Sequence, residues 1–325
     1  MTARLPDRAL PAAVARADAP AAARAAACAA IGRAAVVSLY DELALAPKPG
    51  LVSFADSGSH RDMDAGTFLR SLFALRRYFP QMARLGAQDA DFGSLERAGI
   101  AAEARMLRAT GGINTHRGAV FTLGLLCAAA GALAARGDAP APSAVRDALR
   151  ARWGAALQDR CGRDTGRQGH RIAARFGLRS AGQEAALGFP ALFEVGVPAL
   201  QAARAHGLDA RRARLQALFA LMAALDDTNL AHRGGLDGLR FAQRAARDWL
   251  ASGGAAHPQG VARAQALHAA FVTRRLSPGG AADLLAASCW VVRVADAGTG
   301  VRAVGERPVL SCRTASPEPA GEPVR

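Results

Sequence analysis

Apolar positions along this chain recur three and four residues apart and scarcely alternate, the spacing of amphipathic helices rather than strands. A first helix is expected from about Ala21 to Leu45, halted where Pro47 and Pro49 remove backbone donors. Residues 46–62 read as a loop rich in Pro, Gly, Ser and Asp. Asp62 or Asp64 would then cap a helix running to about Arg84, with Phe68, Leu69, Leu72, Phe73 and Leu75 as its apolar stripe. Further helices are expected over 94–109, from Gly118, and over 143–159, 167–176, 190–206 and 209–227. Two more fall at 237–252 and 258–275, and a last one has Pro278 near its start. The turns "TGGINTHRG" and "DDTNLAHRGG" separate these elements and echo one another, although no fixed-period repeat is present. The expected architecture is all-α, one bundle-like domain over 21–303, with a flexible leader (1–20) and a disordered proline-rich tail (304–325).

Composition supports the helical reading. Half the residues are hydrophobic, mostly Ala and Leu, and only 5% are aromatic. The stretch 118–135 carries no charge over 18 positions, near the lower limit for a membrane span. Ten of those positions are Ala or Gly, which points instead to a helix buried inside the protein. Arg16, Asp18, Arg24 and Arg33 break up any signal-peptide core. The five cysteines (28, 127, 161, 289 and 312) form no CxxC pair, as befits free thiols in a reducing cytoplasm. Neither a membrane nor a disulfide framework is expected.

Net charge is +14, yet the basic residues are spread along the helices with almost no aromatic interleaving. A nucleic-acid binder would concentrate them on one motif or face, so nucleic acid is not the expected partner. A coding bias toward Ala, Arg, Gly and Pro accounts for the scatter. That bias makes the exceptions informative. Lys48 is the single lysine among 41 basic residues, and asparagine occurs only at Asn114 and Asn229, each just before a His-Arg-Gly sequence. A site needing a compact point charge resists replacement of Lys by Arg, and phosphate binding is the natural role for such a lysine. The two Asn turns bring His116, Arg117, His232 and Arg233 with them. Their structural alternative is turn chemistry, since Asn and Gly both tolerate positive φ.

The loop after Lys48 supplies Asp56, His60, Asp62 and Asp64, suited to Mg²⁺ ligation or to general-base work on a hydroxyl nucleophile. Asp226 and Asp227 are expected to end a hydrophobic helix, an unfavourable place for acids that a metal cation would relieve. Glu42, in the last turn before the proline loop, shares that problem. No phosphate-binding G-x-x-x-x-G-K-[ST] loop, G-x-G-x-x-G turn or G-x-S-x-G elbow is present.

Five segments in order, "PKPGLVSFADSGSHRDMDAGTFLRS", "GGINTHRGAVFTLGLLCAAAG", "EAALGFPALFEVGVPAL", "LDDTNLAHRGG" and "SPGGAADLL", resemble the triphosphoribosyl-dephospho-CoA synthases from about residue 32 to 300. The resemblance implies an all-α enzyme that joins ATP to 3′-dephospho-CoA, releases adenine and makes an acyl-carrier prosthetic-group precursor. It implies ATP and 3′-dephospho-CoA as partners, with the transferase that passes the group to the acyl carrier as a further one. Lys48 and Arg117 or Arg233 would then hold the triphosphate, partly through Mg²⁺ on Asp226 and Asp227. Asn114, His116 and Asn229 would position ribose or phosphate, and Asp56, His60 or Asp62 would be the base, with Glu42 among the catalytic acids. The sequence departs from the family pattern in two places. Gly182-Gln183 stands where an Arg-Gly pair would precede Glu184, leaving Arg179 as a substitute, and Arg117 stands where Lys is more familiar. The segment around "RSAGQEAALGFPALFEVGVPAL" favours the malonate decarboxylase branch over the citrate lyase branch. A Mg²⁺-dependent ADP-ribose or nucleotide glycohydrolase, with water as acceptor, is the alternative on the same residues.

Overall fold

The computed structural model describes residues 19–161 and 168–305, so most of the expected leader, most of the expected tail and Cys312 lie outside the described residues. Those residues are helical with no strand among them, as the periodicity predicts. Helix α1 (Ala19–Ala44) ends before the cis Ala46–Pro47 peptide. Asp64 then caps α2 (Ala65–Leu75) through a reciprocal capping box with Thr67. The single helix expected through Arg84 is divided at Arg76–Arg77, and α3 runs over Tyr78–Ala87. Pro80 explains the division. It has no N–H to continue the preceding helix but fits the first turn of a new one, where its ring presses on Gly32 of α1.

Helix α4 (Phe92–Ala109), capped by Asp91, leads into the glycine turn and the central helix α5 (Arg117–Ala135). Its small residues are explained by closeness to α3. A Cβ on Gly131 would lie 1.9 Å from the Ala83 carbonyl oxygen, and one on Gly86 of α3 would lie 1.8 Å from that of Ala128. Two backbones in direct contact need glycine at both crossings. By length and composition α5 and Ala21–Ala44 could each cross a membrane, but α5 is buried in the protein core.

Helix α6 (Pro142–Cys161) packs against α5, α7 (Gln168–Phe176) follows it, and the short α8 (Ala181–Ala186) packs against α6. The helix expected over 190–206 is a π-helical turn, Ala191–Gly196, followed by α9 (Val197–Ala205). The chain continues through α10 (Ala210–Ala224), α11 (Thr228–Ala251), α12 (Gly260–Thr273) and α13 (Gly279–Gly305). One core joins these helices. Each tryptophan indole N–H finds a carbonyl in it: Trp153 that of Ala90, Trp249 that of Gly260, and Trp290 that of Ile31.

The expected end of the helix before Asp226–Asp227 is corrected. Helix α10 stops at Ala224, and Asp227 is the N-cap of α11, accepting from the Asn229 and Leu230 N–H groups. An acid there is favoured by the helix dipole, not opposed by it. The "NLAHRGG" stretch is the first part of α11 rather than a loop, broken only at Gly235, whose φ of 61° kinks the helix.

Candidate active site

Pro47 and Pro49 bracket Lys48, and the loop they stiffen is stitched onto the far end of the chain. Gly50 adopts φ of 65°, and a Cβ on it would stand 2.0 Å from the Leu276 carbonyl oxygen. The Ser59 hydroxyl donates to that same oxygen at 2.6 Å. His268 Nδ1 donates to the Lys48 carbonyl at 2.7 Å, while its Nε2 is 3.2 Å from Asp56 Oδ2. With its backbone so held, Lys48 turns inward and is 1% exposed. Its Nζ donates to the Glu42 carbonyl oxygen at 2.7 Å and to Glu42 Oε1 at 2.6 Å. Burial lowers the Lys48 pKa, and the Glu42 carboxylate opposes that shift. This setting accounts for the lone lysine: a compact ammonium meets two acceptors of one residue in a buried slot, a task for which the larger planar guanidinium is not equivalent.

Three helix N-termini meet beside this ion pair. Asp283, in the first turns of α13, accepts the backbone N–H of Ala119 in the first turn of α5. Asp227, the cap of α11, accepts the Ala281 N–H of α13 at 3.0 Å. Glycines permit the approach. A Cβ on Gly118 would fall 2.0 Å from Asp283 Oδ2, and one on Gly279 would fall 2.5 Å from Asn229 Nδ2. Asp283 lies within electrostatic reach of both Glu42 and Asp227, and burial followed by those two acids pushes its carboxyl well above the usual range. His116, 2% exposed, completes the group. Its Nδ1 lies 2.7 Å from the Ser71 hydroxyl, Phe68 meets the ring edge-on, and Nε2 is buried with no partner. Burial, then Lys48, lowers its pKa to about 3, so the imidazole is neutral.

The sequence-expected residues therefore divide. Glu42, Lys48, His116 and Asp227 belong to this inner group, and the exposed Asn229 amide lies against its rim. Asn114 serves turn chemistry, its Oδ1 accepting the Arg117 N–H at 3.1 Å. The Arg117 side chain turns away to Glu103, at 2.5 Å. His60, Asp62 and Arg233 form an outer cluster. His60 Nε2 meets the Ser277 hydroxyl at 2.9 Å, and Arg233 donates to its Nδ1 at 3.0 Å. Arg233 also donates to the Ser59 and Arg275 carbonyls, which makes it a clamp between the loop and the α12–α13 connection. Burial, then Arg233, depresses His60 to a pKa of about 4. His232 lies exposed against Gln168.

Asp226 and Asp227 do not fit the role of a metal-holding pair. Both oxygens of Asp227 accept backbone N–H groups from α11 and α13, and Asp226 accepts the Arg179 N–H at 3.2 Å. Among the described residues no three His, Cys, Asp or Glu side chains gather into a metal-binding group. Glu184 is buried and joins the Arg179 guanidinium to the Ala191 N–H. Gln183, in the position where the family pattern differs, closes a capping box with Ser180. Asp283 and His268 escaped the sequence reading. The signal for Asp283 was present in "SPGGAAD", a glycine pair opening a helix directly before an acid.

The fold and this centre define an all-helical enzyme whose polar groups collect where helix N-termini favour anions. Residues 28–300 match the family model described as ATP:dephospho-CoA triphosphoribosyl transferase, and the chain belongs to that family of transferases. It is 42% identical over 266 residues to a probable 2-(5''-triphosphoribosyl)-3'-dephosphocoenzyme-A synthase of Azotobacter vinelandii, covering 80% of this chain and 89% of that protein. A probable synthase of the same name from Acinetobacter calcoaceticus is 38% identical over 79% of this chain and 88% of its own length. The Pectobacterium atrosepticum synthase is 41% identical over 77% and 84%. No solved structure matches the chain.

Proposed function

We propose that this protein transfers the triphosphoribosyl group of ATP to the 2′-hydroxyl of 3′-dephospho-CoA with release of adenine. The product would be 2′-(5″-triphosphoribosyl)-3′-dephospho-CoA, precursor of the malonate decarboxylase acyl-carrier prosthetic group, made in the cytoplasm. The observation that carries this reading is the meeting of three helix N-termini with a buried Lys–Glu pair and acids. Helix ends favour the triphosphate, while carboxylates favour the positive charge that gathers on a ribose losing its base.

In this reading Lys48 is an internal strut that fixes Glu42 toward the ribose and adds its field to the triphosphate site. The neutral His116 offers Nε2 to a ribose or phosphate oxygen, and Asn229 contributes at the rim. The hydroxyl proton goes to a loop carboxylate, Asp56 or Asp62, because both nitrogens of His60 are already engaged. Magnesium enters on the triphosphate as part of the substrate. Mass spectrometry of products from ATP, Mg²⁺ and 3′-dephospho-CoA is the test. A triphosphoribosyl adduct with an equal amount of adenine is expected, whereas adenine released equally fast from ATP alone would mark a glycohydrolase. Transfer of the product to a malonate decarboxylase carrier, and not to a citrate lyase carrier, checks the branch.

A further inference from the structure

Adenine is a poor leaving group unless a ring nitrogen is protonated as it departs, so a transfer of this kind needs an acid as well as a base. The loop acids Asp56 and Asp62 are exposed and suit the base. Within the inner group, Glu42 is bonded to Lys48, and Asp227 accepts backbone N–H groups from two helices. Asp283 differs from both. It takes one backbone N–H, from Ala119, and faces two carboxylates. It is intermediate in exposure, unlike the buried Glu42 and Asp227. Gly118 is a notch for it, since any side chain there would meet Oδ2. A second, separate feature points to a ligand here: beside Lys48, the buried His116 leaves Nε2 without a partner.

We propose that Asp283 is the general acid of the transfer, donating its carboxyl proton to the departing adenine. This inference rests on the adenine-releasing reaction proposed above. As the C1′–N9 bond breaks, its electron pair passes into the purine, which takes the Asp283 proton on a ring nitrogen. The 2′-oxygen of dephospho-CoA forms the new bond to C1′, and its proton passes to the loop carboxylate. Asp283 is left ionised, the loop acid is left protonated, and exchange with solvent resets both. The acids around Asp283 hold the proton on it beforehand, since ionisation would place a further negative charge beside Glu42 and Asp227.

The test is Asp283→Asn, which keeps the shape and the acceptor for the Ala119 N–H but has no acidic proton. With ATP, turnover should fall by about 10²-fold or more, the usual scale of lost acid catalysis. Two substrates with less need of a proton discriminate. Nicotinamide riboside 5′-triphosphate carries a base that leaves as a neutral molecule, and 2-fluoro-ATP carries a less basic purine. The Asn variant should approach wild-type turnover with the first and show a clearly smaller deficit with the second. Asp283→Glu should recover part of the ATP activity. Full ATP turnover by the Asn variant, or one deficit shared by ATP and 2-fluoro-ATP, overturns the assignment. Wild-type protein that forms no adenine from ATP and dephospho-CoA would instead overturn the reaction beneath it.

Discussion

At the scale of single residues, the telling feature is a charge that the chain hides. Removing one partner of a buried ion pair leaves the other uncompensated, at a cost of roughly 3–5 kcal/mol. Lys48→Met should therefore lower the urea midpoint severely as well as abolish ATP use. The double variant Lys48→Met/Glu42→Gln should regain most of that stability without regaining activity, because both charges leave together while the Glu42 carboxylate proposed for catalysis is lost. A double variant as active as wild type would remove the pair from the chemistry. Lys48→Arg should also lose stability and activity, since a larger planar guanidinium must be placed in a fully buried site shaped around an ammonium. This is the physical content of a lysine kept by a chain that otherwise uses arginine. The need for a compact charge was legible in composition alone; its inward direction was not.

At the scale of elements, the site depends on how closely helix ends approach. Gly118→Ala inserts a Cβ 2.0 Å from Asp283 Oδ2, so α5 and α13 must separate or the acid must swing out. Activity should fall sharply, with thermal stability reduced by about 1–3 kcal/mol, the range for overpacking. A contrasting control is Gly154→Ala in α6, where the nearest atom a Cβ would meet, Arg150 Cβ one turn back, is 4.0 Å away. There the better helix former should add up to about 1 kcal/mol in thermal unfolding and leave turnover unchanged. Gly131→Ala tests the α3–α5 crossing in the same way: it should destabilise, because its Cβ would meet the Ala83 carbonyl. The apolar run 118–135 announced a buried helix, but only the packed structure explains why it is built from Gly and Ala.

At the scale of the whole molecule, two neutral histidines make folding sensitive to acid. His60 and His116 have pKa values of about 4 and about 3 in the folded protein, against about 6.5 when unfolded. The unfolded chain thus binds protons first as pH falls. Their contribution is complete above about pH 6.5 and is lost progressively as pH drops toward the folded values. Urea midpoints measured from pH 7 to pH 4 should decline, and His116→Asn should flatten that decline. An equally steep decline in the variant would show that His116 is not held neutral. Asp283 has the opposite sign. Its folded pKa is raised, so its contribution is greatest in acid and becomes a penalty as pH rises. Asp283→Asn should hence unfold at the same temperature as wild type or higher at neutral pH, even as it loses activity.

Sequence alone determined the all-helical class, the family and most helix positions, because apolar period, caps and prolines act within a few residues of themselves. Glu42 and Lys48 each stood out in the sequence, but their pairing did not, since the lysine was expected to face phosphate. The tertiary structure decided what no local signal carries. Pro80 begins a helix where an unbroken stripe was expected, and Asp227 caps the following helix instead of ending the previous one. Arg117 and Arg233 turn to protein partners rather than to the inner group, while Asp283 is brought from the far end of the chain to the N-terminus of α5. Such roles depend on which distant backbone stands opposite a side chain, and only the packing of helix against helix sets that.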